Sequence, residues 1–338
     1  MQLKPIHEQV VAVVGASSGI GRAAALEFAK KGAKVVVSGR SEAKIASVVD
    51  EIRSFSGEVT SIIADVTILE QVKAIADKAV EVYGRLDTWV HVPAIAVFAP
   101  FDQTTPEEFQ RVIQVSLMGQ VYGAMAALPH LKREGRGALI HVSSMEGRRS
   151  LPLQSAYGAA KHGIEGFLES LRVELKHSGI PISVTSIMPA VINTPFWNNG
   201  RTRLGVQPAG IPPYYDPRLV ADAIVYTASH PTRDFLVGDS AKILDALQRL
   251  SPGLVDNLLQ LIGFPLQRSN QPKSEDAPDN FYEPVLENTK IDGDYSSFVI
   301  PSFLDGFDKN PLLKWGAVAS LAALALLVAQ TFNEEGFI

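Results

Sequence analysis

Cysteine is missing from all 338 residues of the chain. Its absence excludes disulfides, a thiolate nucleophile and cysteine-ligated metals, and it fits a reducing compartment. The seven histidines are scattered without a His-Glu-x-x-His spacing, so we expect no metal site. The first residues, MQLKPIHEQVVAVVG, lack the layout of a signal peptide, because their apolar run is short and leads into a glycine turn. We therefore expect the folded body to be cytoplasmic.

An excess of positive charge is missing as well. The net charge is −5, and no cluster of Lys and Arg with interleaved aromatic residues occurs. Without a basic field to attract phosphates, we expect no binding of nucleic acid. Hydrophobic residues make up 46% of the chain and charged residues 20%, which is typical of a globular protein with a large core.

Short β-branched runs alternate with longer amphipathic stretches through the first 245 residues. Continuous apolar strands separated by helices are typical of a parallel sheet covered on both faces. The candidate strands are residues 10–15, 34–39, 59–64, 88–92, 138–144, 182–188 and 235–238. The candidate helices lie near residues 19–31, 42–55, 68–83, 107–133, 155–178 and 217–229. The pattern predicts an α/β fold with a doubly wound parallel sheet of about seven strands, a Rossmann fold.

Three segments are predicted along the chain. Residues 1–245 form the Rossmann domain, and residues 246–312, rich in Pro, Asp and Asn, form an extended C-terminal segment. Residues 313–338 form an apolar helix that contains 18 uncharged residues from Trp315 to Phe332. That length lies at the short end of a membrane span. A membrane anchor at residues 315–332 and an Ala-rich helix buried in an interface both remain open.

A glycine-rich turn joins the first predicted strand to the first helix. Glycine permits a tight turn at the first position, a close approach of backbone to phosphate at the second, and close helix packing at the third. Exposed N–H groups at the start of the helix then favour an anion. The turn predicts a dinucleotide site made by Gly15, Ser17, Ser18, Gly19, Ile20 and Gly21.

The end of the second strand indicates which dinucleotide is bound. An NAD site usually has a carboxylate here for the ribose 2′-hydroxyl, whereas this chain has Arg40, 19 residues after Gly21. A guanidinium suits a 2′-phosphate, so we expect NADP(H) to be preferred over NAD(H). A solvated arginine at a helix start is the alternative. After the third strand, Asp65 and Val66 are candidates for the adenine edge, or Asp65 caps the next helix.

These motifs together resemble the short-chain dehydrogenase/reductase family over about residues 7 to 245. The matching residues are Gly15, Gly19, Gly21, Asp65, Ser144, Tyr157 and Lys161. The stretch from Pro189 to Phe196 is similar to the family segment in which a threonine, here Thr194, contacts the nicotinamide carboxamide. The resemblance implies an oxidoreductase that transfers hydride between NADP(H) and a small-molecule carbonyl or secondary alcohol. We also expect a homodimer or homotetramer.

Three residues carry the expected chemistry. Tyr157 and Lys161 lie four positions apart on one helix face, so both can point into one pocket. We interpret Tyr157 as the general acid and base, with Lys161 lowering its pKa and holding the nicotinamide ribose. Ser144, 13 residues before Tyr157, would hydrogen-bond the carbonyl oxygen as charge develops there.

Two positions depart from the family pattern. His91-Val92-Pro93-Ala94 replaces the usual Asn-Asn-Ala-Gly, and Ser116 replaces an asparagine that bends a helix and holds a relay water. Either the proton relay is rebuilt, with Ser116 and His91, or turnover is weak. The alternative function is an NADP(H)-binding regulatory or scaffold protein, and the alternative for His91 is a buried core residue.

The loop between residues 194 and 216 corresponds to the family's substrate lid. Its aromatic residues Phe196, Trp197 and Tyr214 favour a bulky, apolar substrate. The alternative is that these rings pack the loop onto the body.

Overall fold

The computed structural model describes residues 1–286 and 289–306. Residues Met1–Pro301 form one compact unit, and a second unit, Ser302–Ile338, is described only as far as residue 306. The predicted apolar helix, residues 315–332, lies outside the described residues. Its two interpretations therefore stay predictions.

Seven parallel strands form the central sheet: β1 Val10–Val14, β2 Lys34–Gly39, β3 Val59–Ile63, β4 Thr88–His91, β6 Gly137–Val142, β7 Ile182–Pro189 and β10 Asp234–Val237. Their order across the sheet is β3-β2-β1-β4-β6-β7-β10. All six residues of β6 and all eight of β7 are buried, because helices cover both faces of the sheet.

The helices between these strands complete a doubly wound α/β fold, which confirms the predicted fold class. They are α1 Gly19–Lys30, α2 Glu42–Ser54, α3 Leu69–Tyr83, α4 Pro106–Ile113, α5 Gly119–Arg133, α6 Ser155–His177 and α8 Pro217–Thr227. A π-helical turn, Gln114–Met118, joins α4 to α5. The continuous stretch Pro106–Arg133 has the length and composition of a membrane span, but half of its most apolar part is buried inside the protein.

Further elements lie outside this pattern. Two helices follow the sheet, α9 Asp239–Leu250 and α10 Pro252–Ile262, so helical structure continues past residue 245 into the segment predicted to be extended. Small elements shape the loop region: β5 Val97–Phe98 pairs with β8 Arg201–Thr202, β11 Arg268–Pro272 pairs with β9 Val206–Pro208, and α7 is Phe196–Asn199.

The strand order reverses direction between β1 and β4. The first crossovers run from β1 outward through β2 to β3, and the later ones run from β4 outward through β6 and β7. In such sheets the loops at the carboxyl ends diverge at the reversal and leave a crevice there. The crevice is where the motif residues meet.

Candidate active site

A cavity of about 270 Å³ opens at the carboxyl ends of the central strands. Most of the predicted site residues line it: Gly15, Ser17, Ser18, Gly19, Ile20, Arg40, Asp65, Val66, Ser144, Tyr157, Lys161, Thr194, Phe196 and Trp197. Gly21, Ser116 and Tyr214 are the predicted site residues that do not line it. The structure therefore brings the phosphate-binding motif and the Ser, Tyr and Lys motif to one cleft.

The glycine turn has the geometry that its sequence predicts. Gly15 has φ +83°, in the left-handed region that favours glycine. A Cβ at Gly21 would lie 2.1 Å from the carbonyl oxygen of Gly15, so this position excludes any side chain. The turn thus leads tightly into α1 and presents its first N–H groups to the cleft. This cradle fits the pyrophosphate of a dinucleotide.

Arg40 lies at the cleft but already has partners. Its two terminal nitrogens donate to the backbone carbonyls of Tyr282 (2.6 Å) and Asn280 (2.8 Å). Burial lowers the pKa of Arg40, with Asp65 opposing that effect and Arg111 adding to it. Asp65 itself accepts hydrogen bonds from the backbone N–H and the hydroxyl of Thr67, so it fixes the start of the loop before α3.

Tyr157 and Lys161 sit together on the first turns of α6. The Lys161 Nζ lies 5.3 Å from the centre of the Tyr157 ring and donates to the carbonyl of Val142 at 2.9 Å. Ser144 is the second residue after β6, and its hydroxyl accepts the N–H of Glu146 at 3.1 Å. Strand β6 and helix α6 therefore bring the three predicted residues into one wall of the cavity.

Burial is the largest influence on the pKa values of Tyr157 and Lys161 in this wall. It lowers the pKa of Lys161 to about 7, against the raising effect of Glu165 and Glu146. It also raises the pKa of Tyr157; the charge of Glu146 raises that pKa further, and the Ser144 hydroxyl lowers it. The pKa of Tyr157 is therefore raised by burial in the structure, whereas the sequence predicts that Lys161 lowers it.

Glu146 is a site residue that the sequence reasoning missed. It lines the cavity, is 4% exposed, and accepts the N–H of Leu151 through Oε2. Burial raises its pKa to about 8, so its carboxyl is neutral at pH 7. The sequence feature that could have identified it is an acidic residue two positions after Ser144, in the loop that follows the apolar strand β6.

Ser116 lies outside the cavity lining, and its part in a proton relay stays a prediction. Its hydroxyl accepts the N–H of Ile95 at 2.9 Å and donates to the carbonyl of Ile95 at 3.0 Å. Ser116 lies within the π-helical turn, so it ties the bend of this helix to the loop after β4. Ile95 lines the cavity, so Ser116 is hydrogen-bonded to the backbone of a residue in the cavity wall.

His91 is a core residue. It is fully buried between Trp89 and His141, whose rings lie 6.2 and 6.0 Å away, and its ring nitrogens have no partner among the described residues. Burial lowers its pKa well below the usual value, so the ring is neutral. These observations favour the core interpretation of His91 over the proton relay.

The altered loop after β4 packs against the glycine turn. A Cβ at Gly15 would lie 2.9 Å from the Pro93 ring, so the proline fills the space beside the turn. The carbonyl of Pro93 lies 3.5 Å from the amide nitrogen of Gln120. Although residues 91–94 depart from the family pattern, the wall of the cleft is closely packed here.

Aromatic rings border the cavity beside Tyr157. The Phe196 ring centre lies 5.6 Å from that of Tyr157, and Trp197 lies 5.2 Å from Phe196. Tyr214 is buried away from the cavity: its hydroxyl accepts the N–H of Gly210, and its ring stacks on Tyr295 at 4.6 Å. These contacts favour the alternative interpretation of Tyr214, in which the ring packs the loop, here onto the C-terminal segment.

A doubly wound sheet with a dinucleotide cradle and Ser, Tyr and Lys side chains in one cleft defines a nucleotide-dependent oxidoreductase. A sequence profile described as short chain dehydrogenase matches residues 9–204. The chain belongs to the short-chain dehydrogenase family.

Relatives and solved structures agree with this assignment. The oxidoreductase YxnA of Bacillus subtilis is 35% identical over 96% of this chain and 92% of its own, so the similarity extends into the C-terminal segment. The oxidoreductase Lmo0432 of Listeria monocytogenes is 33% identical over 70% of this chain and 98% of its own.

Two solved structures share the fold. A short-chain dehydrogenase/reductase from Burkholderia phymatum in complex with NAD has a TM-score of 0.68 at 22% identity, over 75% of this chain and 97% of its own. An alcohol dehydrogenase from Thermococcus sibiricus with 5-hydroxy-NADP has a TM-score of 0.60 at 23% identity, over 68% of this chain and 95% of its own. Their cofactors differ, and at this identity the likeness is one of fold.

Proposed function

We propose that this oxidoreductase reduces the carbonyl group of an apolar small molecule with NADPH, or oxidises the corresponding secondary alcohol with NADP⁺. The observation that carries the proposal is the shared cavity: Ser144, Tyr157 and Lys161 line the same space as the glycine turn. A substrate in contact with Tyr157 can therefore reach a dinucleotide held at that turn.

Each side chain has one task in carbonyl reduction. Bound nicotinamide supplies the hydride. Ser144 donates a hydrogen bond to the carbonyl oxygen, where negative charge develops. Tyr157 is neutral at pH 7, since a phenol ordinarily ionises at about pH 10 and burial raises its pKa further, so it holds the proton that this oxygen needs. Lys161, whose Nζ lies 5.3 Å from the centre of the Tyr157 ring, holds the nicotinamide ribose.

Arg40 supports NADP(H) as the cofactor. It is the cation at the end of β2, it lines the cavity, and its guanidinium suits a 2′-phosphate. The chain has no carboxylate at this position to bind a ribose 2′-hydroxyl and repel the phosphate.

The wall beside Tyr157 supports an apolar substrate. Phe196 and Trp197 line it, together with Met145 and Leu151. Aromatic and aliphatic side chains with few polar groups favour ligands that bury an apolar body and leave one polar atom at the catalytic residues.

A substrate panel tests the proposal. NADPH consumption is measured with alkyl and aryl ketones, for the wild type and for Tyr157→Phe. We expect turnover of at least one ketone, lowered about 10²–10⁴-fold in the variant because the transferred proton is lost. Tyr226→Phe is the matched control, since Tyr226 lies on α8 and outside the cavity lining. NADPH binding without any turnover that depends on Tyr157 would instead support a regulatory or scaffold protein.

A further inference from the structure

Part of the C-terminal segment contacts residues that line the cavity. We call residues 279–286 and 289–293 the strap. Asn280 lines the cavity, and the neighbouring Phe281 is fully buried, with the Arg201 guanidinium 4.4 Å from the centre of its ring. The N–H of Asn280 donates to the carbonyl of Asn199 at 2.9 Å. Phe281 thus anchors the strap to the body.

Three successive strap carbonyls bind two arginines of the body. Arg40 donates to the carbonyls of Asn280 and Tyr282, and Arg111 Nε donates to the carbonyl of Phe281 at 3.0 Å. Neither arginine forms a salt bridge within residues 1–286 and 289–306. The guanidinium groups of Arg40, directly after β2, and of Arg111, on α4, are therefore paired with neutral oxygens and with no direct ionic partner among these residues.

The other end of the strap meets the glycine turn. The N–H of Gly19, at the start of α1, donates to the carbonyl of Lys290 at 3.1 Å. Here too a neutral oxygen occupies a donor that a helix N-terminus offers to an anion. Asp292 fixes this end of the strap through two hydrogen bonds from Arg218, 2.7 and 2.9 Å long.

The strap thus contacts two groups that one ligand would use: Gly19 for the pyrophosphate and Arg40 for the 2′-phosphate. A phosphate oxygen makes a stronger, charge-assisted hydrogen bond to these donors than a neutral carbonyl does. NADP(H) carries both anions, whereas NAD(H) lacks the one that would replace the carbonyls at Arg40.

We propose that the strap is a cofactor-specificity element, whose carbonyls at residues 280–282 and the 2′-phosphate of NADP(H) are alternative occupants of Arg40 and Arg111. NADP(H) binds by displacing this part of the strap, and NAD(H) binds with it in place. The inference rests on the proposed use of NADP(H), and it adds that the strength of the strap contacts sets the affinity for this cofactor.

Loosening the strap tests the proposal. The dissociation constants of NADPH and NADH are measured by titration calorimetry for the full chain and for Phe281→Ala, which removes the buried anchor. We expect NADPH to bind about tenfold tighter, because a strap without its buried anchor competes less strongly with the 2′-phosphate for Arg40. NADH affinity should change by no more than about twofold, since the carbonyls at Arg40 stay in place when it binds. Unchanged or weaker NADPH binding by a folded variant would overturn the proposal.

A milder variant guards against loss of folding in Phe281→Ala. Asp292→Ala removes an ion pair whose side chains are 43% and 53% exposed, and it leaves the core intact. Because Asp292 fixes the end of the strap at Gly19, which the pyrophosphate of both cofactors would use, we expect NADPH and NADH each to bind about two- to threefold tighter, in line with the small contribution of an exposed pair. Asp245→Ala is the matched control, because Asp245 pairs with Arg249 on α9, outside the cavity lining, and should leave both affinities unchanged.

Hydrogen exchange reports the displacement directly. The amides of residues 279–286 should exchange faster with saturating NADPH than with saturating NADH, because the bond from Asn280 to Asn199 opens. Slower exchange with NADPH would mean that the strap closes over the cofactor, which contradicts the proposal. The proposed function fails separately: it is contradicted if no ketone of the panel shows turnover that depends on Tyr157, whatever the two cofactor affinities are.

Discussion

The Rossmann body and the strap reach the same cleft by different means. The body positions its groups at the ends of buried strands and the starts of helices, such as Ser144 after β6 and Tyr157 on α6. The strap acts through backbone carbonyls at residues 280, 281 and 282, held by arginine side chains of the body. We therefore assign the chemistry of the reaction to the body. The strap modulates which cofactor binds.

Removing the Ser144 hydroxyl is the sharpest test of the body. We expect Ser144→Ala to lower kcat about 10²–10³-fold, since one donor to the developing oxyanion is lost. Steady-state kinetics with the best ketone of the panel measures the effect. Ser183→Ala on β7 is a matched control outside the cavity lining. A kcat within about threefold of the wild type would remove Ser144 from the proposed mechanism.

Reversing the charge at position 40 tests where the two regions meet. Arg40→Asp should shift the ratio of NADPH to NADH affinity by about 10- to 100-fold toward NADH, because a charge-assisted bond to phosphate becomes a repulsion. Binding titrations with both cofactors measure the ratio. Arg53→Asp, in the last turn of α2 and outside the cavity lining, provides the control.

Truncating Ser116 tests how the body supports its own site. Ser116→Ala leaves the buried N–H and carbonyl of Ile95 without their partner, so we expect a loss of about 1–3 kcal/mol in the free energy of unfolding. Ser116→Asn, which restores a donor and an acceptor, is the informative comparison for catalysis. Denaturant titration measures the stability change. An unchanged midpoint for the alanine variant would show that these two hydrogen bonds contribute nothing measurable.

The pH dependence of alcohol oxidation tests the electrostatics of the wall. Glu146 ionises near pH 8, and its negative charge raises the pKa of Tyr157. Glu146→Gln stays neutral, so Tyr157 should lose its proton at lower pH, and the rise of the oxidation rate with pH should shift toward acid. The control is Glu169→Gln, whose side chain is 54% exposed. A profile that stays in place would show that Glu146 does not influence Tyr157.

The sequence predicts the body far better than the strap. All seven sheet strands were predicted, because β-branched runs between amphipathic helices have a strong periodic signal. The spacing of Tyr157 and Lys161 placed both on one helix face. The carbonyl partners of Arg40 come from residues 280 and 282, and backbone carbonyls at such separation carry no side-chain signature.

The roles of two residues within the body were also not predictable from the sequence. Tyr214 was a candidate for substrate binding, because aromatic residues occur both in substrate lids and in packed cores. Only its packing against Tyr295 in the structure distinguishes these two interpretations. Glu146 was overlooked because its place in the cavity depends on the conformation of the loop after β6. The hydrophobic periodicity and secondary-structure propensity of the sequence do not specify that conformation.

The division between body and strap is tested most directly by measuring kcat and the NADPH dissociation constant side by side for Tyr157→Phe and Phe281→Ala. We predict that Tyr157→Phe lowers kcat about 10²–10⁴-fold and binds NADPH as the wild type does. We predict that Phe281→Ala tightens NADPH binding about tenfold and keeps kcat within about threefold. Loss of turnover in folded Phe281→Ala without tighter NADPH binding would contradict the account.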